Sequence, residues 1–256
     1  MATSPSFKTT VSEGMVVRRC GVGRELVWIH GLGESSTSFE PVVAALPQFQ
    51  HTLIDLPNYG RSPHGDVLSL DELADKVAPL TRGKLVIGHS MGGVLAVLLA
   101  ERGAAASIVN IDGNISRGDC TFSGRAIGWT EAEFVAHGFA EMKDAVYREG
   151  IAKLPLRGYH AAMCFASAAQ FYRHAQNLVE LSLSESLARR MSGLSVPHLF
   201  VAGVPDGICE KSRALLTGVG ANWIGIEPAG HWVYLDQTES FACAIVLHSD
   251  EQNQPR

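Results

Sequence analysis

The stretch Gly88-His89-Ser90-Met91-Gly92-Gly93 carries the residue types of nucleophilic catalysis at a telling spacing. It follows the apolar run Lys84-Leu85-Val86-Ile87 and precedes the helix-like run Val94 to Ala100. G-x-S-x-G between a strand and a helix is the pattern of a nucleophile elbow. A serine hydroxyl is a weak nucleophile and must stand clear of the backbone, where a base can take its proton. A sharp strand-to-helix turn lifts it there. The turn crowds the positions two before and two after the serine, and Gly88 and Gly92 bring no side chain to them. The N–H of Met91 then lies at a helix N-terminus and can stabilise an oxyanion. By chance the three fixed positions match in roughly one chain of this length in ten, so the flanking strand and helix carry much of the weight.

The elements that must position Ser90 are legible on both sides. Residues 7–20 alternate loosely and predict one or two edge strands. Glu25 to Ile29 is a short, apolar run that fits a buried parallel strand. A helix with proline in its first turn is expected over Glu40–Leu46, then a strand at Thr52–Asp55. Leu70, Leu73, Val77 and Leu80 have helical spacing behind Ser69, a plausible N-cap. Ser107–Ile111 reads as a strand ending at Asp112. From 115 to 192 the strand signal stops, and helices are expected at 131–144, 160–178 and 180–191. The strand pattern returns at Pro197–Gly203. A helix near 210–217, a strand at 222–227 and a final helix at 237–247 complete the series. Residues 250–256 look frayed. Alternating strands and helices predict an α/β fold with a mostly parallel central sheet covered on both faces. One all-helical insertion interrupts it. The division expected is core 1–114, helical cap 115–192, and core 193–256.

Four further stretches resemble the α/β-hydrolase superfamily. Trp28-Ile29-His30-Gly31-Leu32-Gly33 resembles its oxyanion loop after the third strand. Asp55-Leu56-Pro57-Asn58-Tyr59-Gly60-Arg61-Ser62 resembles its D-x-P-G-x-G-x-S turn, with Asn58 where glycine is usual. Val201-Ala202-Gly203-Val204-Pro205-Asp206 resembles the turn that presents the acid, and Ala229-Gly230-His231-Trp232 the loop that presents the base. The resemblance covers the core from 25 to 247 apart from the cap, and is closest to capped, esterase-like members. It implies a nucleophile, acid and base in that chain order. Ser90 is then the nucleophile and His231 the general base. Asp206, after the strand that follows the cap, is the preferred acid. Asp112, after the strand that precedes it, is the alternative. The N–H groups of Leu32 and Met91 form the oxyanion hole. His30 shapes its loop, and the His89 side chain points away from the side to which Ser90 points. A serine at position 90 excludes relatives that need a carboxylate nucleophile there.

Bulk properties set outer bounds. The chain has 256 residues, 46% hydrophobic and 18% charged, with a formal net charge of −5. That is ample for one large core, and it gives no sign of a nucleic-acid or anionic-membrane partner. The five cysteines are widely spaced, odd in number and form no C-x-x-C pair, so free thiols are expected, not disulfides or zinc. Residues 1–8 contain no apolar signal-peptide core, no run is long enough to span a membrane, and a cytoplasmic monomer or homodimer is expected. No metal site and no G-x-G-x-x-G cofactor loop is visible. Trp129, Phe165, Phe171 and Tyr172 are candidates for the wall of a closed substrate pocket under the cap. The expected activity is hydrolysis of small carboxylic esters through an acyl-enzyme. A thioesterase, an acyltransferase and a hydrolase of carbon–carbon bonds would use the same triad. A lyase, a cofactor-free oxygenase and a ligand receptor are the rival uses of the scaffold.

Overall fold

The computed structural model describes residues 5–251. Eight strands form one sheet in the order β1-β2-β4-β3-β5-β6-β7-β8. They are β1 (Lys8–Ser12), β2 (Met15–Cys20), β3 (Glu25–Ile29), β4 (Gln50–Asp55), β5 (Leu85–His89), β6 (Ser107–Ile111), β7 (His198–Asp206) and β8 (Trp223–Gly230). The edge hairpin is antiparallel to its neighbours, and every pair from β4 to β8 is parallel. Parallel strands need crossovers, and the chain supplies helices for them. The first three are α1 (Glu40–Ala44), α2 (Leu70–Thr81) and α3 (Met91–Glu101). Ser69 caps α2 in a reciprocal capping box with Glu72. Met91 to Ala100 of α3 are all buried. A helix apolar on every side belongs inside a core, and this one packs against β5 and β6.

After a 3₁₀ turn at Arg117–Asp119, only helices are found between β6 and β7 among the described residues. They are α4 (Thr121–Ala126), α5 (Glu131–Glu133), α6 (Phe139–Gly150), α7 (Leu154–Met163), α8 (Ala168–Leu183) and α9 (Leu187–Ser192). A π-helical turn, Phe134–Gly138, runs α5 into α6. Periodicity alone misses α4 and starts α7 six residues late, because Leu154-Pro155 opens α7 with proline in its first turn. The chain closes with α10 (Glu210–Gly218), α11 (Val233–Asp236) and α12 (Thr238–Glu251). Asp250 and Glu251 therefore belong to a helix. The frayed tail expected at 252–256, like residues 1–4, lies outside the described residues. No helix among the described residues is long and apolar enough to cross a membrane.

Strand register aligns the ends that matter. Ile29 pairs with Gly88, His89 with Ile111, Ile111 with Val201, and Asp206 with Gly230. Chain order reverses between β3 and β5, since β3 leads to β4 on one side while β5 continues to β6 on the other. Loops leave a crevice at such a switch point, outside the carboxyl ends of the strands. The helical block is tied down beside it. Asn58 adopts φ 68°, a left-handed conformation that asparagine tolerates better than most residues. Its Oδ1 accepts the Gly65 N–H at 2.8 Å, and its Nδ2 donates to Asp66 O and to Gln170 Oε1 on α8, both at 2.9 Å. The Ser167 N–H, at the start of α8, donates to Asn58 O at 2.9 Å.

The elbow is tightly packed, backbone against backbone. A Cβ on Gly88 would fall closer than 3.0 Å to Gly92 O, and one on Gly92 closer than 3.0 Å to Ile29 O. Both obstacles are backbone, which cannot swing away as a side chain can. Gly92→Ala is therefore expected to lower unfolding free energy by about 1–3 kcal/mol, the cost of overpacking. Urea denaturation at constant m-value measures it.

Candidate active site

Ser90 is the single residue between β5 and α3, with φ 54° and ψ −116°. That backbone is strained for any residue with a Cβ. It is held by the sheet, because the Ser90 N–H donates to Ile111 O at 2.7 Å. Met91 is the first residue of α3. Its N–H has no intrahelical partner and sits at the positive end of the helix.

The loop after β3 faces it. The Leu56 N–H donates to His30 Nε2 at 3.1 Å, so Nδ1 carries the proton and donates to Gly31 O at 2.8 Å. Burial keeps this imidazole below its ordinary range, so it stays neutral. Asp55 adds a brace, accepting the Ser36 N–H at 2.6 Å and the Arg61 N–H at 3.1 Å. Gly33 has φ 74°, and a Cβ there would stand 2.7 Å from the Phe171 ring. That close approach brings the helical block over the loop that carries Leu32. Among the described residues the Leu32 N–H has no hydrogen-bond partner.

His231 follows β8, where the Gly230 N–H donates to Asp236 Oδ2 at 2.8 Å. Its Nδ1 lies 3.9 Å from Asp112 Oδ2. Asp112 is fully buried at φ 46°. Its oxygens accept the Gly203 N–H at 3.2 and 3.3 Å. Burial drives the Asp112 carboxyl well above the usual range, while the N–H groups of Gly203 and Ile208 pull the other way. Burial, and then the neighbouring His89, lower the His231 imidazole to about 3, with Glu34 opposing. His231 is thus a free base at neutral pH. Asp206 stands exposed at the end of β7 and lines the same cavity. Among the described residues, the carboxylate within 4.0 Å of the His231 ring nitrogens is that of Asp112. Neither the Ser90 hydroxyl nor a His231 nitrogen makes a hydrogen bond within 3.5 Å among these residues. Catalytic contacts are commonly loose before substrate arrives and tighten afterwards.

Ser90 and His231 open onto one cavity of about 680 Å³. Leu32, Phe122, Tyr159, Leu178 and Trp232 share its wall. The four aromatics expected there lie elsewhere. Phe171 is fully buried among Phe134 and Phe139, at ring distances of 5.8 and 5.2 Å. The Tyr172 hydroxyl donates to Trp129 O at 2.8 Å, so both serve the packing of the helical block. Phe165 is 63% exposed on the outside. The wall is supplied by α4 and the early turns of α7, whose helical starts the spacing did not reveal. Glu34 was also missed. Its signal is a lone carboxylate directly behind His30-Gly31-Leu32-Gly33. Among the described residues no three His, Cys, Asp or Glu side chains are grouped to hold a metal ion.

A family model described as the alpha/beta hydrolase family matches residues 26–244. The pimeloyl-[acyl-carrier protein] methyl ester esterase of Edwardsiella ictaluri (strain 93-146) is 26% identical over 251 residues, covering 90% of this chain and 95% of that protein. The protein of the same name from Sodalis glossinidius is 40% identical over 81 residues, 31% of this chain and 32% of its own length. Among solved structures, an enol-lactonase from Burkholderia xenovorans LB400 superposes with a TM-score of 0.75 at 18% identity, covering 95% of this chain and all of its own. A thermophilic esterase from Thermogutta terrifontis gives 0.74 at 20% identity, with 97% and 99% covered. At such identities the structural likeness speaks for the fold alone.

His174 and His231 are each lowered to about 3, with burial as the first cause. Both are neutral in the folded chain, whereas the unfolded chain protonates them near 6.5. Their contribution to stability is complete above pH 6.5 and is lost as pH falls from there towards about 3. The urea midpoint should therefore drop between pH 7.5 and pH 4.5. The His231 ring resonance, followed by NMR, should not titrate near 6.5.

Proposed function

We propose that this chain, which belongs to the alpha/beta hydrolase family, is a serine esterase acting through an acyl-enzyme on Ser90. The observation that carries this reading is the placing of a strained, half-buried serine and an unprotonated histidine on one cavity. Ser90 Oγ attacks the ester carbonyl as His231 takes its proton. The N–H groups of Leu32 and Met91 hold the oxyanion. His231 returns the proton to the departing alcohol. Water then attacks the acyl-enzyme with His231 again as base, and the carboxylic acid leaves.

The orienting acid in this reading is Asp112, not Asp206. Asp112 is buried, its Oδ2 lies 3.9 Å from His231 Nδ1, and the Gly203 N–H donates to its oxygens and holds the carboxyl in place. An imidazolium formed at His231 would meet that carboxylate in a dry site, where attraction is stronger than in water. Asp206 is then a wall residue. Helices α4 to α9 act as a cap, roughly the 115–192 insertion, and a cavity of about 680 Å³ suits a medium-length acyl chain. Relatives that carry a methyl ester esterase name favour a small alcohol as leaving group. The five free thiols support a reducing, cytoplasmic setting.

Ser90→Ala should cut kcat on p-nitrophenyl esters by about 10⁴–10⁶ and abolish labelling by a fluorophosphonate. Near-full activity in that variant ends the esterase reading. Asp112→Asn should lose roughly 10³–10⁴ in rate, while Asp206→Asn stays within about tenfold. The opposite ranking returns the role to Asp206. Phe122→Ala should shift the preferred acyl length of an ester panel and leave labelling of Ser90 intact. An unchanged chain-length profile removes Phe122 from the acyl pocket.

A further inference from the structure

We propose that Glu34 and His89 form a buried ion pair that fixes the oxyanion loop relative to the base loop, making Glu34 a positioning residue for catalysis. The proposal rests on the serine-esterase reading above. Glu34 is 2% exposed, and three donors converge on it. The Gly31 N–H and His89 Nδ1 reach Oε2 at 2.8 and 3.0 Å, and Trp232 Nε1 reaches Oε1 at 2.6 Å. Burial alone would raise this carboxyl. The charge of His89 and the hydrogen bonds from His89, Gly31 and Trp232 outweigh it and bring Glu34 to about 2. Glu34 is therefore an anion.

That settles the state of His89. Its Nδ1 faces a carboxylate, which only accepts. Its Nε2 lies 2.8 Å from the backbone carbonyl of His231, which also only accepts. Imidazole is a stronger base than a carboxylate, and the Glu34 oxygens already accept the Gly31 and Trp232 N–H groups, so the shared proton sits on Nδ1, Nε2 donates to the carbonyl, and His89 is an imidazolium. A pair this deeply buried adds little net stability, because desolvation offsets the attraction. Its contacts point to a different use. The Gly31 N–H belongs to the residue before Leu32. His89 is the residue before Ser90. His231 offers its own carbonyl, and Trp232 follows it. Glu34 and Trp232 are 198 residues apart in sequence. One carboxylate thus ties the oxyanion loop, the nucleophile and the base loop together.

Electrostatics requires the partner as well. A Cβ built on Gly31 would be 3.1 Å from both Glu34 Oε2 and Ser90 Cβ, so the carboxylate lies beside the nucleophile. A lone anion there would oppose an oxyanion. The imidazolium cancels it at short range, while His231, at 4.7 Å between ring centres, is kept unprotonated.

The test is kinetic. Glu34→Gln is nearly isosteric and removes the charge. On p-nitrophenyl butyrate it should lower kcat about 100-fold, the scale of an ångström of misplacement, with KM within about twofold, and it should lower Tm because the buried His89 loses its counter-charge. Fluorophosphonate labelling of Ser90 should slow in step. His89→Gln should behave alike, and the double variant should be no worse than the worse single, because the two residues act as a unit. Should Glu34→Gln fail to fold, Trp232→Phe removes one donor to Glu34 and should slow labelling about tenfold. A kcat within threefold of wild type in Glu34→Gln, multiplicative losses in the double variant, or, where Glu34→Gln does not fold, unchanged labelling in Trp232→Phe overturns the proposal. A wild-type chain that labels normally alongside such variants leaves the esterase reading standing. A wild-type chain that neither labels nor hydrolyses ends both.

Discussion

The close passage of Gly92 beneath the loop after β3 governs the rest of the structure. Backbone meets backbone there, with no room for a single methyl group on Gly88 or Gly92. This contact sets how steeply α3 leaves β5, and therefore where Ser90 stands. It also fixes the height of the His30–Gly33 loop above the sheet. The helix cannot be moved without moving that loop, so Ser90 and the loop that carries Leu32 are adjusted together or not at all. An all-buried helix behind the turn makes the arrangement stiff, because every face of α3 is packed.

Histidine chemistry is divided among chemically similar rings by what surrounds each one. His30 faces a backbone N–H on one side and a carbonyl on the other, which defines one neutral tautomer. His89 faces two acceptors and takes a second proton. His231 faces the open cavity and a carboxylate at 3.9 Å, and burial keeps it neutral. Three imidazoles within one small region are thus set apart by their surroundings alone.

The parallel core was legible because its strands are short apolar runs between turn residues, and such runs have few alternatives in a covered sheet. Glu25–Ile29 and Ser107–Ile111 fall where the pattern put them. Ser90 and His231 were legible because each sits in a local motif whose spacing is set by a turn. Other features depend on long-range contacts and leave no such trace. Asp112 and Asp206 both end strands in neighbouring positions, and only the depth of each separates them. The helices between β6 and β7 pack on one another, so Phe171 and Tyr172 looked like wall residues when they are interior. Asn58 was visible as a departure from glycine, but its grip on Gln170 spans 112 residues. Glu34 was visible only as a charge among apolar neighbours.

Ser90 and Asp112 share a property with a consequence for the history of such a protein. Both hold positive φ, at 54° and 46°, in residues that carry a Cβ. Each costs about 1–3 kcal/mol of backbone strain, a sizeable share of the margin that keeps a domain folded. Glycine at either place would relax the chain and, on the esterase reading proposed above, remove the nucleophile or the orienting acid. Drift without selection on catalysis therefore runs downhill towards robust, inert descendants. A lineage that keeps both side chains does so against its own thermodynamics, and a search for hardier variants by heat alone would tend to breed out the activity first.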